Sequence, residues 1–167
     1  MSQKHRIGLG VLMLLLLVGA VLGIDALQRA RSEKDSVGEV VLTAGSVPIY
    51  LDGKLVAGFQ PTDLEHLAKV SFVDPAEGKT QEGWLLRDVL LLHIKRSTLK
   101  ATMLISVSSS SRSKSAQVTW AEADDTANWV MFDLAGRGTL KLVSVMDKLD
   151  SRDEWVQDVD RIEVTNP

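Results

Sequence analysis

The sequence predicts an α+β fold, a mixed or antiparallel sheet with two short helices, placed after roughly thirty N-terminal residues of different character. Three observations lead there. Short β-rich runs recur between turn-forming clusters rather than joining into long elements. Two stretches show helical spacing instead, one opening at Thr62 and one covering Gly83 to His93. The roughly 135 residues after the N-terminal part suit one domain with a real core and are too few for two.

The chain begins with a basic cluster, Lys4, His5 and Arg6, followed by eighteen uncharged residues from Ile7 to Ile24. A signal-peptide apolar region is usually about 7–15 residues long. A membrane span needs roughly 17–25. The run therefore favours an uncleaved signal-anchor whose basic end stays in the cytoplasm. Cleavage near Val18-Gly19-Ala20 is the alternative. In both cases the globular part lies on the periplasmic or extracytoplasmic side, and the anchored form is a single-pass protein of the cytoplasmic (inner) membrane. Residues 1–30 are assigned to the transmembrane helix and stalk, the polar stretch Asp25 to Ser36 extending that stalk, and residues 37–165 to the domain.

Within the domain, Val37 to Thr43 is β-rich and Ala44-Gly45 breaks it. Ser46 to Leu51 and Lys54 to Ala57 flank Asp52-Gly53, a strong hairpin signal. After Gln60-Pro61, Thr62 and Glu65 have capping-box spacing, with Leu64, Leu67 and Ala68 behind them. Val70 to Val73 reads as a strand and Asp74 to Gly78 as a turn. In the central helix Leu85, Leu86, Val89, Leu90 and His93 share one apolar face, while Arg87 and Asp88 point away. Leu99 to Val107 reads as a buried strand with Gln117 to Trp120 as its neighbour. Ala121 to Ala127 is acidic and suits a helical turn. Trp129 to Leu134 and Leu140 to Val145 bracket the turn Ala135 to Gly138, and Val159 to Val164 is a closing strand.

This order of elements, with Gly83, Leu86 and Leu90 at the central helix, Leu140-Lys141-Leu142-Val143, and Trp155 ahead of Val159 to Val164, resembles the molybdopterin-binding domain of the sulfite oxidase family in a reduced form. The likeness covers roughly residues 37 to 164. It implies a sulfite-oxidase-like fold, and in catalytic members a cysteine before the central helix holds molybdenum. The corresponding stretch here is Ser71-Phe72-Val73-Asp74, and the chain has no cysteine. Without a thiolate the family's metal centre cannot be assembled in the same way. The departures from the family pattern point to a cofactor-free relative, or at most one using the cleft differently, with no catalytic or metal-binding residue assigned. Such a domain would serve as a membrane-anchored accessory or binding module with a protein partner in a membrane complex. Two alternatives stand beside it: a small redox protein that takes pterin or haem, and a single-span structural subunit whose Gly8, Gly10, Gly19, Ala20 and Gly23 offer small faces for helix packing.

The formal net charge of -3 gives no electrostatic footprint for nucleic acid. Among side chains with chemistry, His5, His66 and His93 fall in separate elements, and His93 reads as a hydrogen-bonding histidine at the core edge. Asp147, Asp150, Asp153 and Glu154, like Glu122, Asp124 and Asp125, read as solvated acidic stretches, lacking the spacing and glycine of a calcium loop. Trp84, Trp120, Trp129 and Trp155 are expected in the core, or around a concavity that takes a flat or apolar ligand. Ser108 to Ser115 is expected to be a mobile link between strands. The alternative is that its hydroxyls, N–H groups and two cations hold a phosphate or carboxylate. Ser109, Ser111, Arg112 and Lys114 are the candidate ligand-binding residues on that ground.

Overall fold

The structure, a computed structural model, describes residues 40–134 and 136–167. The expected anchor and stalk lie outside the described residues, as does the stretch before Val40. Among the described residues no helix is long and apolar enough to cross a membrane. Residues 40–167 form one compact unit of α+β type.

The first sheet contains β1 (Val47–Leu51), β2 (Lys54–Phe59), β5 (Leu104–Ser109), β6 (Lys114–Thr119) and β10 (Arg161–Thr165), in the order β2-β1-β10-β5-β6. It is mixed, because β1 runs parallel to β10, pairing Ile49 with Ile162 and Leu51 with Val164. The second sheet is antiparallel throughout. It contains β3 (Val70–Val73), β4 (Thr80–Leu85), β7 (Met131–Leu134), β8 (Leu140–Val143) and β9 (Val156–Gln157), in chain order. Two short α-helices complete the fold, α1 (Leu86–Leu91) and α2 (Trp120–Asp124).

Local chemistry accounts for most of these elements. Asp52 and Gly53 both take positive φ, +48° and +76°, which matches the right-handed twist of the β1–β2 hairpin. Thr119 caps α2, its hydroxyl accepting from the Glu122 N–H at 3.2 Å while Glu122 reaches back to the Thr119 N–H at 2.6 Å. At the corner after β2 the contacts join Gln60 and Asp63, not Thr62 and Glu65: the Gln60 N–H donates to the Asp63 carboxylate at 2.8 Å and the Asp63 N–H to the Gln60 carbonyl at 2.9 Å, opening a 3-10 turn at Pro61–Leu64 rather than an α-helix. Pro61 sits where the first turn needs no donor.

The central helix is shorter than its periodicity suggests. Gly83, Trp84 and Leu85 belong to β4, pairing with Asp133, Phe132 and Met131 of β7. Helical geometry begins at Leu86, whose N–H is held by the Val130 carbonyl at 2.9 Å. Leu86, Val89 and Leu90 are fully buried as expected, each burial contributing about 1.5–3 kcal/mol. Leu85 faces the opposite side of the second sheet, and His93 lies at the surface beyond the helix. Period two and period 3.6 share Leu85 and Leu86 as adjacent apolar positions, so spacing alone could not separate them. The strand expected over Leu99 to Val107 starts only at Leu104, after a turn through Ala101 and Thr102.

The main core lies where both sheets and both helices meet. Ile49, Phe59, Ile105, Val107 and Ile162 enter it from the first sheet, and Trp84, Phe132, Leu142 and Val156 from the second. The alternate residues of the second sheet, Leu85, Met131 and Val143, form a smaller cluster on its other face with Phe72 and Trp155. A strand buried on both faces reads as a continuous apolar run, as Val130 to Phe132 does here.

Candidate functional site

Ser108 to Ser115 is not a loose link. Ser108 and Ser109 end β5, Lys114 and Ser115 start β6, and only Ser110 to Ser113 make the turn between them. Ser113 takes φ of +51°, and the Ser110 N–H donates to Asp160 at 2.7 Å. Cross-strand pairing and this carboxylate order a stretch whose composition alone suggests mobility.

The four candidate residues separate in the folded hairpin. Ser109 is buried, with its hydroxyl 3.2 Å from that of Ser111, so it serves the turn. Arg112 and Lys114 instead line a surface cavity of about 250 Å³, together with Arg152, Asp153, Trp155 and Gln157. The last four come from the segment running into β9. Neither their distance along the chain from Arg112 nor their spacing gives a local signal that they meet it.

How the cations are held decides what the cavity can do. Arg112 donates through Nε to Asp158 at 2.7 Å. Arg152 approaches Glu77 at 2.9 Å and Asp74 at 3.5 Å, also through Nε. The Nη groups of both arginines make no hydrogen bond among the described residues. Lys114 donates to the backbone carbonyl of Asp153, with no carboxylate partner among the described residues. Each guanidinium is thus turned by a carboxylate behind it while its outer donors stay available, an arrangement suited to receiving oxygen atoms. Trp155 backs the site, with Lys141 Nζ 5.0 Å and the Arg152 guanidinium 5.7 Å from its ring centre.

Asp158 is the hub of this region. Besides Arg112 it accepts from Thr139 Oγ1 at 2.8 Å and Arg137 Nη2 at 3.1 Å, so one carboxylate joins the β5–β6 turn, the β7–β8 hairpin and the β9–β10 link. It does so from a left-handed backbone, φ +56°, which aspartate tolerates better than most residues. The hydrogen bond from Thr139 and then that from Arg112 hold its carboxyl below the ordinary value of 3.8, with Arg137 adding to them.

Asp74 closes the turn before β4, in the stretch where the resemblance would place a metal-binding cysteine. It is buried, its carboxylate accepting the Ala76 N–H at 2.9 Å and facing Arg152. The acidic clusters have structural partners as well. Glu122 pairs with Lys148 at 2.8 Å, Asp124 with Arg96 at 2.5 Å, and Asp125 accepts the Ala127 N–H at 3.0 Å. Burial of the Glu122 carboxyl would raise its pKa. The hydrogen bonds from Lys148 and Thr119 overcome that and hold it below the ordinary value. Among the described residues no three His, Asp or Glu side chains stand close enough to hold a metal ion.

No protein-family model, curated protein or solved structure matches this chain. The site's meaning therefore rests on its own geometry.

His93 stacks on Phe59, ring centres 6.1 Å apart, and is not grouped with other ligating side chains among the described residues. Burial of its ring face pushes the imidazole below the ordinary 6.5, and Asp63 opposes that only partly. The unfolded chain then binds more protons just below pH 6.5, so this residue makes stability decline as pH falls through that window and leaves it unchanged above. In an NMR titration the His93 ring signals should show a midpoint below 6.5. A midpoint at or above 6.5 would contradict the packing against Phe59.

Proposed function

We propose that the domain is a non-catalytic binding module that recognises an anionic group through Arg112, Lys114 and Arg152. The observation that carries this reading is the pair of arginines held through Nε by carboxylates, their outer Nη donors making no hydrogen bond among the described residues, beside a lysine with no carboxylate partner among those residues. Nearby carboxylates largely balance these cations. Recognition therefore depends on directed hydrogen bonds more than on net field, and affinity is modest and salt-sensitive.

The reading extends the likeness to a cysteine-free, degenerate relative of the sulfite oxidase domain. Asp74, tied to Arg152 and to its own turn, gives the stretch before the central helix a structural role, which supports an accessory over a redox function. In this proposal the N-terminal segment holds the module at the outer face of the cytoplasmic membrane, where it serves a protein partner.

The test is a titration of the full-length protein with inorganic phosphate, followed by NMR at Lys114, Arg152 and Gln157. Saturable shifts are expected. Arg112→Gln and Arg152→Gln should each weaken binding about tenfold or more, the scale of a lost charge-assisted hydrogen bond. Absence of saturable shifts at low salt, or full affinity in both variants, would remove the anion site. Stoichiometric molybdenum or pterin in protein purified from its membrane would remove the non-catalytic reading.

A further inference from the structure

We propose a second ligand site, the cleft beside Trp84 between the second sheet and the segments flanking the β1–β2 hairpin, for a small uncharged ring-bearing molecule with a hydrogen-bond acceptor such as a ketone oxygen. The cleft encloses about 420 Å³ and shares no lining residue with the cationic cavity. The segment entering β1 walls one side with Ala44 and Gly45. The corner after β2 walls another with Gln60 and Pro61, and Leu134 at the end of β7 forms part of the rim.

Three features set the chemistry. The walls are open: Gly45 and Gly138, glycines suited to their positive φ of +84° and +79°, leave room in which an added Cβ would touch nothing within 4 Å. Leu134 is 45 % exposed, an apolar surface that a bound ring would cover. Trp84, by contrast, is only 2 % exposed, and its indole N–H is buried without a hydrogen-bond partner among the described residues. Buried tryptophans usually satisfy that donor, so an acceptor supplied by a ligand would complete an interaction that the described residues leave unmade.

The N–H is shielded from solvent. In this proposal the acceptor reaches it by displacing a rim side chain such as Leu134, which lines the same cleft as Trp84 and is exposed. Glu65 at the opposite rim has no ion-pair partner among the described residues and disfavours an anionic ligand. The amide of Gln60 donates to the Ala44 carbonyl at 3.1 Å, while the indole is the buried donor of the lining without a partner among the described residues. Apolar body, single acceptor and no negative charge together define the class.

The probe is 1-indanone, titrated into the full-length protein while the four tryptophan indole N–H signals are followed by NMR, with Trp84→Phe used to assign its signal. The Trp84 signal should move downfield and saturate while that of Trp155 stays in place. Leu134→Glu, at an exposed rim position, should weaken binding about fivefold or more, the equivalent of roughly 1 kcal/mol of apolar contact. A Trp84 signal that does not move up to the solubility limit of indanone overturns the proposal. So does an equal drift of all four indoles, or undiminished binding in the Leu134 variant.

Discussion

Gly83→Ala is expected to cost more than about 3 kcal/mol and to remove most soluble, folded protein, a larger loss than core overpacking usually causes. A methyl group on Gly83 would fall on the Phe132 carbonyl. It would also lie 2.6 Å from that carbonyl carbon and 2.9 Å from Asp133 Cα, and all of these are backbone atoms. No rotamer change relieves the contact. β4 and β7 would have to separate where Trp84 and Leu85 pair with Phe132 and Met131, at the centre of the second sheet. Gly58 makes an instructive comparison. There an added methyl meets chiefly the Leu42 side chain, which is 39 % exposed and able to move. Gly58→Ala should therefore be much milder. Urea unfolding of the two variants side by side measures this, and equal stability would mean that the β4–β7 approach is looser than described.

Trp155→Ala is expected to cost about 3–5 kcal/mol, the range for truncating a large aromatic core residue. Trp155 is 2 % exposed and fills the smaller cluster with Phe72, Leu85, Met131 and Val143. Its indole N–H donates to the Leu149 carbonyl at 2.9 Å, so truncation also removes the donor that closes the Leu149 to Trp155 loop on itself. Trp155→Phe keeps most of the apolar volume and loses that hydrogen bond, and should cost nearer 1–2 kcal/mol. The two variants also bear on the anion site. Trp155 backs the cavity, and Arg152 lies over its ring, so the alanine variant should lose phosphate binding along with stability. The phenylalanine variant should retain much of it. Thermal unfolding and phosphate titration of the pair separate the packing role from the binding role. A Trp155→Ala protein as stable as the parent would refute the assigned core position.

Some elements were legible because their signals are local. Asp52-Gly53 specifies a two-residue turn through its own backbone preferences, and Val70–Val73 and Leu140–Val143 announce themselves by β-branched and leucine content between breakers. The α2 cap is written in Thr119 and Glu122, three residues apart, although the sequence reading reached only the acidic turn that follows Thr119. The split of the central stretch into β4 and α1 was not legible. Leu85 and Leu86 are apolar under either period, and the hydrogen bond from Leu86 to Val130 that starts the helix comes from a segment far along the chain.

The candidate ligand-binding site was half legible. Composition picked out Arg112 and Lys114, while the serines beside them turned out to shape the hairpin. Arg152, Gln157 and the Asp158 hub carry no motif, because their roles depend on which strands lie side by side.

By itself, then, the sequence determined the α+β class, most strand positions, the tight turns and the lack of any thiolate chemistry. Each of these depends on a residue and its near neighbours, or on composition. The tertiary structure alone decided that β1 lies parallel to β10, that two sheets rather than one enclose the core, and that Arg112 meets Arg152 and Asp158. Those outcomes are set by packing and electrostatics between distant segments, which no local pattern records.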